Sequence, residues 1–144
     1  MIVIGYPGIG KSTITKDNTG YIDYDASLFQ KEDGWAELYV RGAINLSQMG
    51  NVVFVSSHKE VQDLLVNSSE KVVVVYPALQ LHEFWMDKLC DRYEKSNSEY
   101  DHKALMRCVS HFCEDILELR ESNFENKLEI TTEDYNLEEL LKKF

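Results

Sequence analysis

Short apolar runs along the chain predict the strands of a buried sheet. The strongest runs are "MIVIG" at 1–5, "NVVFVSS" at 51–57 and "KVVVVYP" at 71–77. A shorter aromatic run, "GYIDYD", lies at 20–25, and a weaker one, "NKLEITT", lies at 126–132. Continuous apolar runs, rather than strict apolar–polar alternation, are typical of strands covered on both faces, as in parallel sheets.

Between these runs, apolar residues recur at the three- and four-residue spacing of amphipathic helices. The predicted buried stripes are Trp35, Leu38, Tyr39, Gly42 and Leu46; Leu81, Trp85 and Leu89; and Leu105, Cys108, Val109, Phe112, Ile116 and Leu117. Shorter helices are predicted near Lys11, at 58–67 and at 137–144. The polar segment 94–101 predicts a turn or a mobile loop.

The alternation of strands and helices predicts the fold class. We expect a single α/β domain over residues 1–144, with three α/β/α layers and a parallel sheet of about five strands covered by helices on both faces. In such sheets, ligands bind beyond the carboxyl ends of the strands. The residues that follow each strand are therefore the first candidates for a functional site.

A glycine-rich loop directly after the first predicted strand carries the strongest motif. Gly5, Gly10, Lys11 and Ser12 fit the pattern G-x-x-x-x-G-K-[ST], which predicts a P-loop. Gly8 and Gly10 permit backbone conformations closed to other residues, so that successive N–H groups converge on phosphate oxygens. The residues predicted to hold a nucleotide's phosphates are Gly8, Ile9, Gly10, Lys11, Ser12 and Thr13. Lys11 is expected to reach the β- and γ-phosphates, and Ser12 to ligate Mg²⁺.

Two carboxylates lie at the end of the second predicted strand. Asp23 and Asp25 are two residues apart, so both side chains point to the same side of an extended chain. We expect Asp23 to hold Mg²⁺, directly or through water, and Asp25 to orient an acceptor and take its proton. Two ordinary acids at a solvated strand end are the alternative.

The segments "GYPGIGKST" and "YIDYDASLF" together resemble the small P-loop kinases, which include adenylate-kinase-like nucleotide kinases and the shikimate and gluconate kinases. The whole chain also looks like the compact kinase-like ATP-binding proteins of bacteriophage genomes. The resemblance implies a P-loop NTPase fold, ATP and Mg²⁺ as cofactors, and a lid after the fourth strand. The chain departs from P-loop ATPases because its third strand ends in Ser56, Ser57 and His58 instead of an aspartate.

The resemblance also implies where the lid and the adenine lie. A lid is expected around residues 88–107, with Arg92 as the first choice for its catalytic arginine and Arg107 as the second. Phosphoryl transfer needs such cations around the moving group. Thr131, in the loop after the last strand, is expected near the adenine. Surface charge on two amphipathic helices is the alternative for the arginines.

Acceptor binding is expected from polar residues beyond Asp25. The candidates are Asp25, Arg41, Ser57, His58 and Arg107. Ser57 is also predicted to cap the helix after the third strand, with Glu60 completing a capping box. Plain surface exposure is the alternative for Arg41, and a capping role is the alternative for His58.

These patterns predict an ATP- and Mg²⁺-dependent kinase of a nucleoside or deoxynucleoside monophosphate. Lys11, Asp25 and Arg92 are the expected catalytic residues. One alternative is a shikimate- or gluconate-type kinase that phosphorylates a hydroxyl group of a metabolite. Another is a nucleotide-binding switch module without turnover, which would bind ATP and transfer nothing.

Composition narrows the expected partners. The net charge of −10 argues against a nucleic-acid duplex, which needs a clustered basic surface. No apolar run is long enough for a membrane span, and the first strand begins at Met1, so a cytoplasmic protein is expected, in the host cytoplasm if a phage encodes it. The expected partner is a small-molecule acceptor, with the chain a monomer or weak homodimer.

Overall fold

The computed structural model describes residues 1–144, apart from the side chain of Leu28. One sheet contains the strands β1 (Ile2–Gly5), β2 (Tyr21–Asp23), β3 (Val52–Val55), β4 (Val72–Pro77) and β5 (Asn126–Ile130). Their order is β2-β3-β1-β4-β5, and every neighbouring pair is parallel. The predicted α/β fold with a five-stranded parallel sheet is confirmed.

The six α-helices that the structure describes pack in three pairs. Their bounds are α1 (Lys11–Asp17), α2 (Trp35–Gln48), α3 (Lys59–Leu65), α4 (His82–Ser96), α5 (Glu99–Arg120) and α6 (Leu137–Leu141). The pairs are α1 with α6, α2 with α3, and α4 with α5. Helix α2 packs against α3 and β3, whereas α1 packs against α6 and β2, which is compatible with three layers. None of the helices described here combines the length and the apolar character that crossing a bilayer requires.

The centre of the sheet positions the loop that follows β1. Ile2, Val3 and Ile4 are fully buried, and Ile4 lies opposite Val55 of β3 and Val74 of β4. A strand flanked on both sides and covered on both faces is rigid, because each backbone group is bonded and each side chain is packed. All five strands run the same way, so the segments after β1, β2 and β3 meet at one edge.

Helix α2 turns most of its predicted stripe towards the core, but not Leu38. Leu38 is 58% exposed, whereas Ala36, Tyr39, Val40 and Ala43 are buried. The large side chains of a helix do not alone decide its orientation, because small ones permit a closer approach to the sheet. The prediction was therefore wrong for Leu38, whereas the burial of Tyr39, the start of the helix at Trp35 and its end before Gly50 are confirmed.

The polar segment 94–101 is a tight turn between two helices. Helix α4 continues to Ser96, and α5 begins at Glu99. Asn97 has a φ of 51°, a left-handed conformation that ends a helix, and the Ser98 side chain accepts a hydrogen bond from the Asp101 N–H group. The turn that we predicted is present, but it is much shorter than eight residues.

Candidate functional site

The glycine-rich loop between β1 and α1 depends on two left-handed glycines. Gly8 has a φ of 92° and Gly10 a φ of 103°. These values lie in a region that residues with a Cβ atom rarely adopt, as the sequence predicted. A Cβ atom on Gly8 would also lie 3.0 Å from Trp85 Nε1 and 3.2 Å from Leu89 Cδ2, so helix α4 packs directly on the loop.

We expect Gly8→Ala to lower the free energy of unfolding by roughly 2–3 kcal/mol, because strain and crowding act together. Gly50→Ala is the matched control. Gly50 has a φ of 94°, but its Cβ atom would enter open space, so a cost of about 1 kcal/mol is expected. Urea unfolding measures both values, and equal costs would contradict the close packing of α4 on the loop.

A large cleft opens beside this loop. It has a volume of about 980 Å³ and is bounded by residues 8–14, by α4 and by residues 133–138 after β5. Among the described lining residues, the carboxylates are Asp17, Asp23, Asp25, Glu133, Asp134 and Glu138, and the cations are Lys11, Lys88 and Arg92. Carboxylates therefore outnumber cations, and a polyanion entering this cleft needs a counter-charge.

Lys11 lines the large cleft together with Asp23, the last residue of β2, and Asp25, two residues later. The Lys11 Nζ atom lies 3.5 Å from Asp23 Oδ1, and both side chains are only partly exposed. The Asp25 carboxylate accepts hydrogen bonds from the Ser27 N–H group at 2.9 Å and the Ser27 hydroxyl at 2.8 Å. These two bonds hold the Asp25 side chain in one orientation.

A smaller cavity adjoins the large cleft on the other side of Asp25. Its volume is about 380 Å³, and Lys11 and Asp25 line both spaces. Within the described part of its lining, the cations are Lys11, Lys31, Lys103 and Arg107, and Asp25 is the only carboxylate. Lys103 pairs with Glu99 at 3.3 Å, and Arg107 pairs with Asp115 at 2.8 Å, both of them carboxylates outside the lining. An anion in this space would compete with those partners.

The end of β3 supplies the neutral polar wall of the small cavity. Ser56, Ser57 and His58 all line it, and His58 Nδ1 lies 2.8 Å from the Ser56 hydroxyl. Burial, and next the nearby positive charge of Lys31, lower the pKa of His58. His58 also occupies the N-cap position of α3 without a side-chain bond, so the prediction of Ser57 as the cap was wrong.

Tyr39 of α2 ties the two strand ends together. Its side chain is fully buried, and its hydroxyl donates to the main-chain oxygen of Tyr24 and accepts from the Ser56 N–H group at 3.1 Å. The segments that carry Asp25 and Ser57 are thereby held side by side. This contact explains why residues from β2 and β3 line one cavity.

Of the arginines and the adenine contact that the sequence predicts, only Arg92 and Arg107 line one of the two spaces. Arg92 lines the large cleft and pairs with Asp101 at 2.9 Å, while Arg107 lines the small cavity and makes two bonds to Asp115 at 2.8 Å. Arg41 is exposed on α2 and lines neither space. Thr131 lies outside both as well, and residues 133–138 line the cleft in its place.

Three residues that the sequence analysis did not assign contact the glycine loop. Trp85 Nε1 donates to the Pro7 oxygen at 2.8 Å, Lys88 Nζ to the Gly8 oxygen at 2.9 Å, and the Tyr135 hydroxyl to the Ile9 oxygen at 2.7 Å. Burial, and next the charge of Arg92, lower the pKa of Lys88. The periodicity of α4 predicted Trp85 only as a core residue, and no local pattern indicates contacts across such sequence distances.

The cleft offers oxygen ligands to a cation. Ser12 and Asp23 both line it, and a hydroxyl with a carboxylate is the donor type that Mg²⁺ prefers. No three Asp, Glu, His or Cys side chains gather as a metal site in the part of the chain that the structure describes. Such a closed cage is not required, since Mg²⁺ bound with a nucleotide takes most of its ligands from phosphates and water.

No protein-family model matches the chain, and no curated protein matches it either. Its function is therefore argued from the geometry of the two adjoining spaces.

Proposed function

We propose that the chain is an ATP- and Mg²⁺-dependent phosphotransferase that acts on a nucleoside or deoxynucleoside monophosphate. One observation carries this proposal: the large cleft and the small cationic cavity meet at Lys11 and Asp25. A phosphotransferase needs a donor site and an acceptor site that share the point of transfer. The resemblance of "GYPGIGKST" to a P-loop agrees with this arrangement.

The large cleft is the proposed site for ATP. Gly8 and Gly10 carry the left-handed conformations that a phosphate-binding loop requires, and Lys11 follows them at the start of α1. Lys11 would exchange its contact with Asp23 for the β- and γ-phosphates. Arg92, on α4, would exchange Asp101 for the transferring group, whose charge is spread over three oxygens.

Ser12 and Asp23 are the proposed Mg²⁺ ligands. They would hold the ion, which would supply positive charge against the phosphates of the nucleotide. Asp23 would also be freed from its contact with Lys11, since that lysine turns to the phosphates. Lys11 would then face the phosphates and Asp23 would face Mg²⁺, so each of these two side chains gains a partner of opposite charge.

The acidic lining of the cleft predicts a strong requirement for Mg²⁺. We expect ATP to bind at least about tenfold more weakly after removal of divalent ions with EDTA, because the bare triphosphate meets more carboxylates than cations. Calorimetric titration in the presence and absence of Mg²⁺ measures the ratio. Equal affinities would contradict the assignment of this cleft to the triphosphate.

The small cavity is the proposed acceptor site. Lys31, Lys103 and Arg107 favour an acceptor with a negative charge, and a monophosphate is the group we assign. Asp25 would orient the acceptor, and it would take the proton where the acceptor is a hydroxyl or the monoanion of a phosphate. A metabolite with a carboxylate and a free hydroxyl is the second candidate, because the fixed carboxylate of Asp25 is what activation of a hydroxyl needs.

An acceptor panel tests the proposal. The chain is incubated with Mg²⁺ and γ-labelled ATP and with nucleoside monophosphates, nucleosides, sugar acids or a 5′-hydroxyl oligonucleotide. We expect label on the monophosphates and none on the uncharged nucleosides. Label on a sugar acid alone supports the second candidate, and transfer to none of them with ATP still bound supports a switch module.

A further inference from the structure

Three consecutive main-chain oxygens of the glycine loop are each held by a side chain from elsewhere. The oxygens of Pro7, Gly8 and Ile9 accept from Trp85, Lys88 and Tyr135, respectively, at 2.8, 2.9 and 2.7 Å. Trp85 and Lys88 lie on α4, and Tyr135 lies beyond β5. We call these three side chains the carbonyl clamp.

The clamp residues also hold one another. The rings of Trp85 and Tyr135 are parallel within 11°, and Lys88 Nζ lies 4.2 Å from the centre of the Trp85 ring and 3.1 Å from the Tyr135 hydroxyl. Burial raises the pKa of Tyr135 to about 12, so its hydroxyl stays a donor at neutral pH. The three donors form one connected unit rather than three separate contacts.

Because peptide groups are planar, the carbonyl clamp also orients N–H groups of the glycine loop. The oxygen of one residue and the N–H group of the next belong to one trans peptide and point in opposite directions. Holding the oxygens of residues 7, 8 and 9 therefore fixes the directions of the N–H groups of Gly8, Ile9 and Gly10. No protein group that the structure describes accepts a hydrogen bond from these three N–H groups.

We propose that Trp85, Lys88 and Tyr135 are positioning residues that hold the N–H groups of Gly8, Ile9 and Gly10 ready for the phosphate chain of a nucleotide. The inference rests on the proposed function and adds a part to it. A loop with two left-handed glycines has many accessible conformations, and fixing it in advance lowers the entropic cost of binding. The charge of Lys88 also polarises the peptide between Gly8 and Ile9, which strengthens its N–H group as a donor.

Tyr135→Phe is the decisive variant, because it removes one hydroxyl and keeps the ring against Trp85. Calorimetry measures its affinity for Mg·ATP, for Mg·tripolyphosphate and for adenosine. We expect Kd to rise about tenfold for the first two ligands and to stay unchanged for adenosine, which lacks phosphates. Tyr93→Phe, a tyrosine of α4 outside both spaces, is the control and should bind all three normally.

Lys88→Met provides a second test and Lys88→Arg its rescue. We expect at least a tenfold loss of tripolyphosphate affinity in the first and partial recovery in the second, with Lys95→Met on the same helix unchanged. Trp85 supplies a spectroscopic signature. In a Trp35→Phe background, its emission should change on saturation with tripolyphosphate, since its indole N–H group is bonded to the loop.

The outcomes separate the two proposals. If the unaltered chain binds neither Mg·ATP nor tripolyphosphate, the proposed function is overturned. If the unaltered chain binds both ligands, and Tyr135→Phe lowers thermal stability but leaves both affinities unchanged, the hydroxyl is merely structural. In that case the positioning role is overturned and the proposed function stands.

Discussion

Replacing Asp25 with asparagine should reduce phosphoryl transfer by roughly 10²- to 10⁴-fold, while the affinity for Mg·ATP stays near that of the unaltered chain. The carboxylate lies where the large cleft meets the small cavity, and two bonds from Ser27 hold it in place. Asparagine preserves the size and shape of the side chain. It lacks the charged carboxylate that would orient the acceptor, and it cannot take a proton from a hydroxyl or from a monoanionic phosphate. Single-turnover transfer and calorimetric titration measure the two effects separately.

Asp33→Asn is the matched control for the Asp25 variant. Asp33 is exposed in the segment before α2 and lines neither space, so the same change of charge should leave transfer unaltered. Undiminished transfer in the Asp25 variant would show that Asp25 has no catalytic role. A switch module without turnover predicts instead that neither variant has any transfer activity to lose.

Replacing Lys11 with methionine should affect both binding and transfer. We expect transfer to fall by at least about 100-fold and Mg·ATP to bind about tenfold more weakly, because the side chain compensates phosphate charge before and during transfer. Lys11 lines both spaces and already faces a carboxylate, Asp23, at 3.5 Å. The same two measurements as for Asp25 apply.

Lys16→Met is the control for the Lys11 variant. Lys16 lies on the same helix, exposed and outside both spaces, so the net charge changes equally without a change at the site. Normal transfer in the Lys11 variant would show that the glycine loop does not hold the transferred phosphate. Equal losses in both variants would indicate a general effect of charge on ligand attraction.

The apolar pattern was sufficient to predict the sheet. Strands such as β1 and β4 are continuous apolar runs because both of their faces are covered. Such a run consists of adjacent residues and can be recognised from the sequence alone. Helix α2 shows the limit of such patterns. Which residues at the edge of its apolar stripe are buried depends on how closely the helix approaches the sheet. The large apolar Leu38 is exposed, while Ala36 and Ala43 are buried.

In the candidate site too, features of single residues could be predicted from the sequence, whereas contacts between distant residues could not. Gly8 and Gly10 could be assigned from the sequence, since a left-handed conformation is a property of single residues. The contacts of Tyr135 and Lys88 with the loop could not, because they join residues 126 and 80 positions apart. The segment after β5 was expected to line the site, but which of its residues do so depends on where the chain turns after Ile130.

The proposed function requires that the bound phosphate passes to an acceptor rather than to water. Phosphorus NMR of the unaltered chain with Mg·ATP and a mixture of nucleoside monophosphates follows both products in one sample. We expect ADP and a nucleoside diphosphate to form in equal amounts from ATP and one of the monophosphates, with little inorganic phosphate. Inorganic phosphate as the sole new product, or ATP that stays intact while bound, would overturn the proposed function.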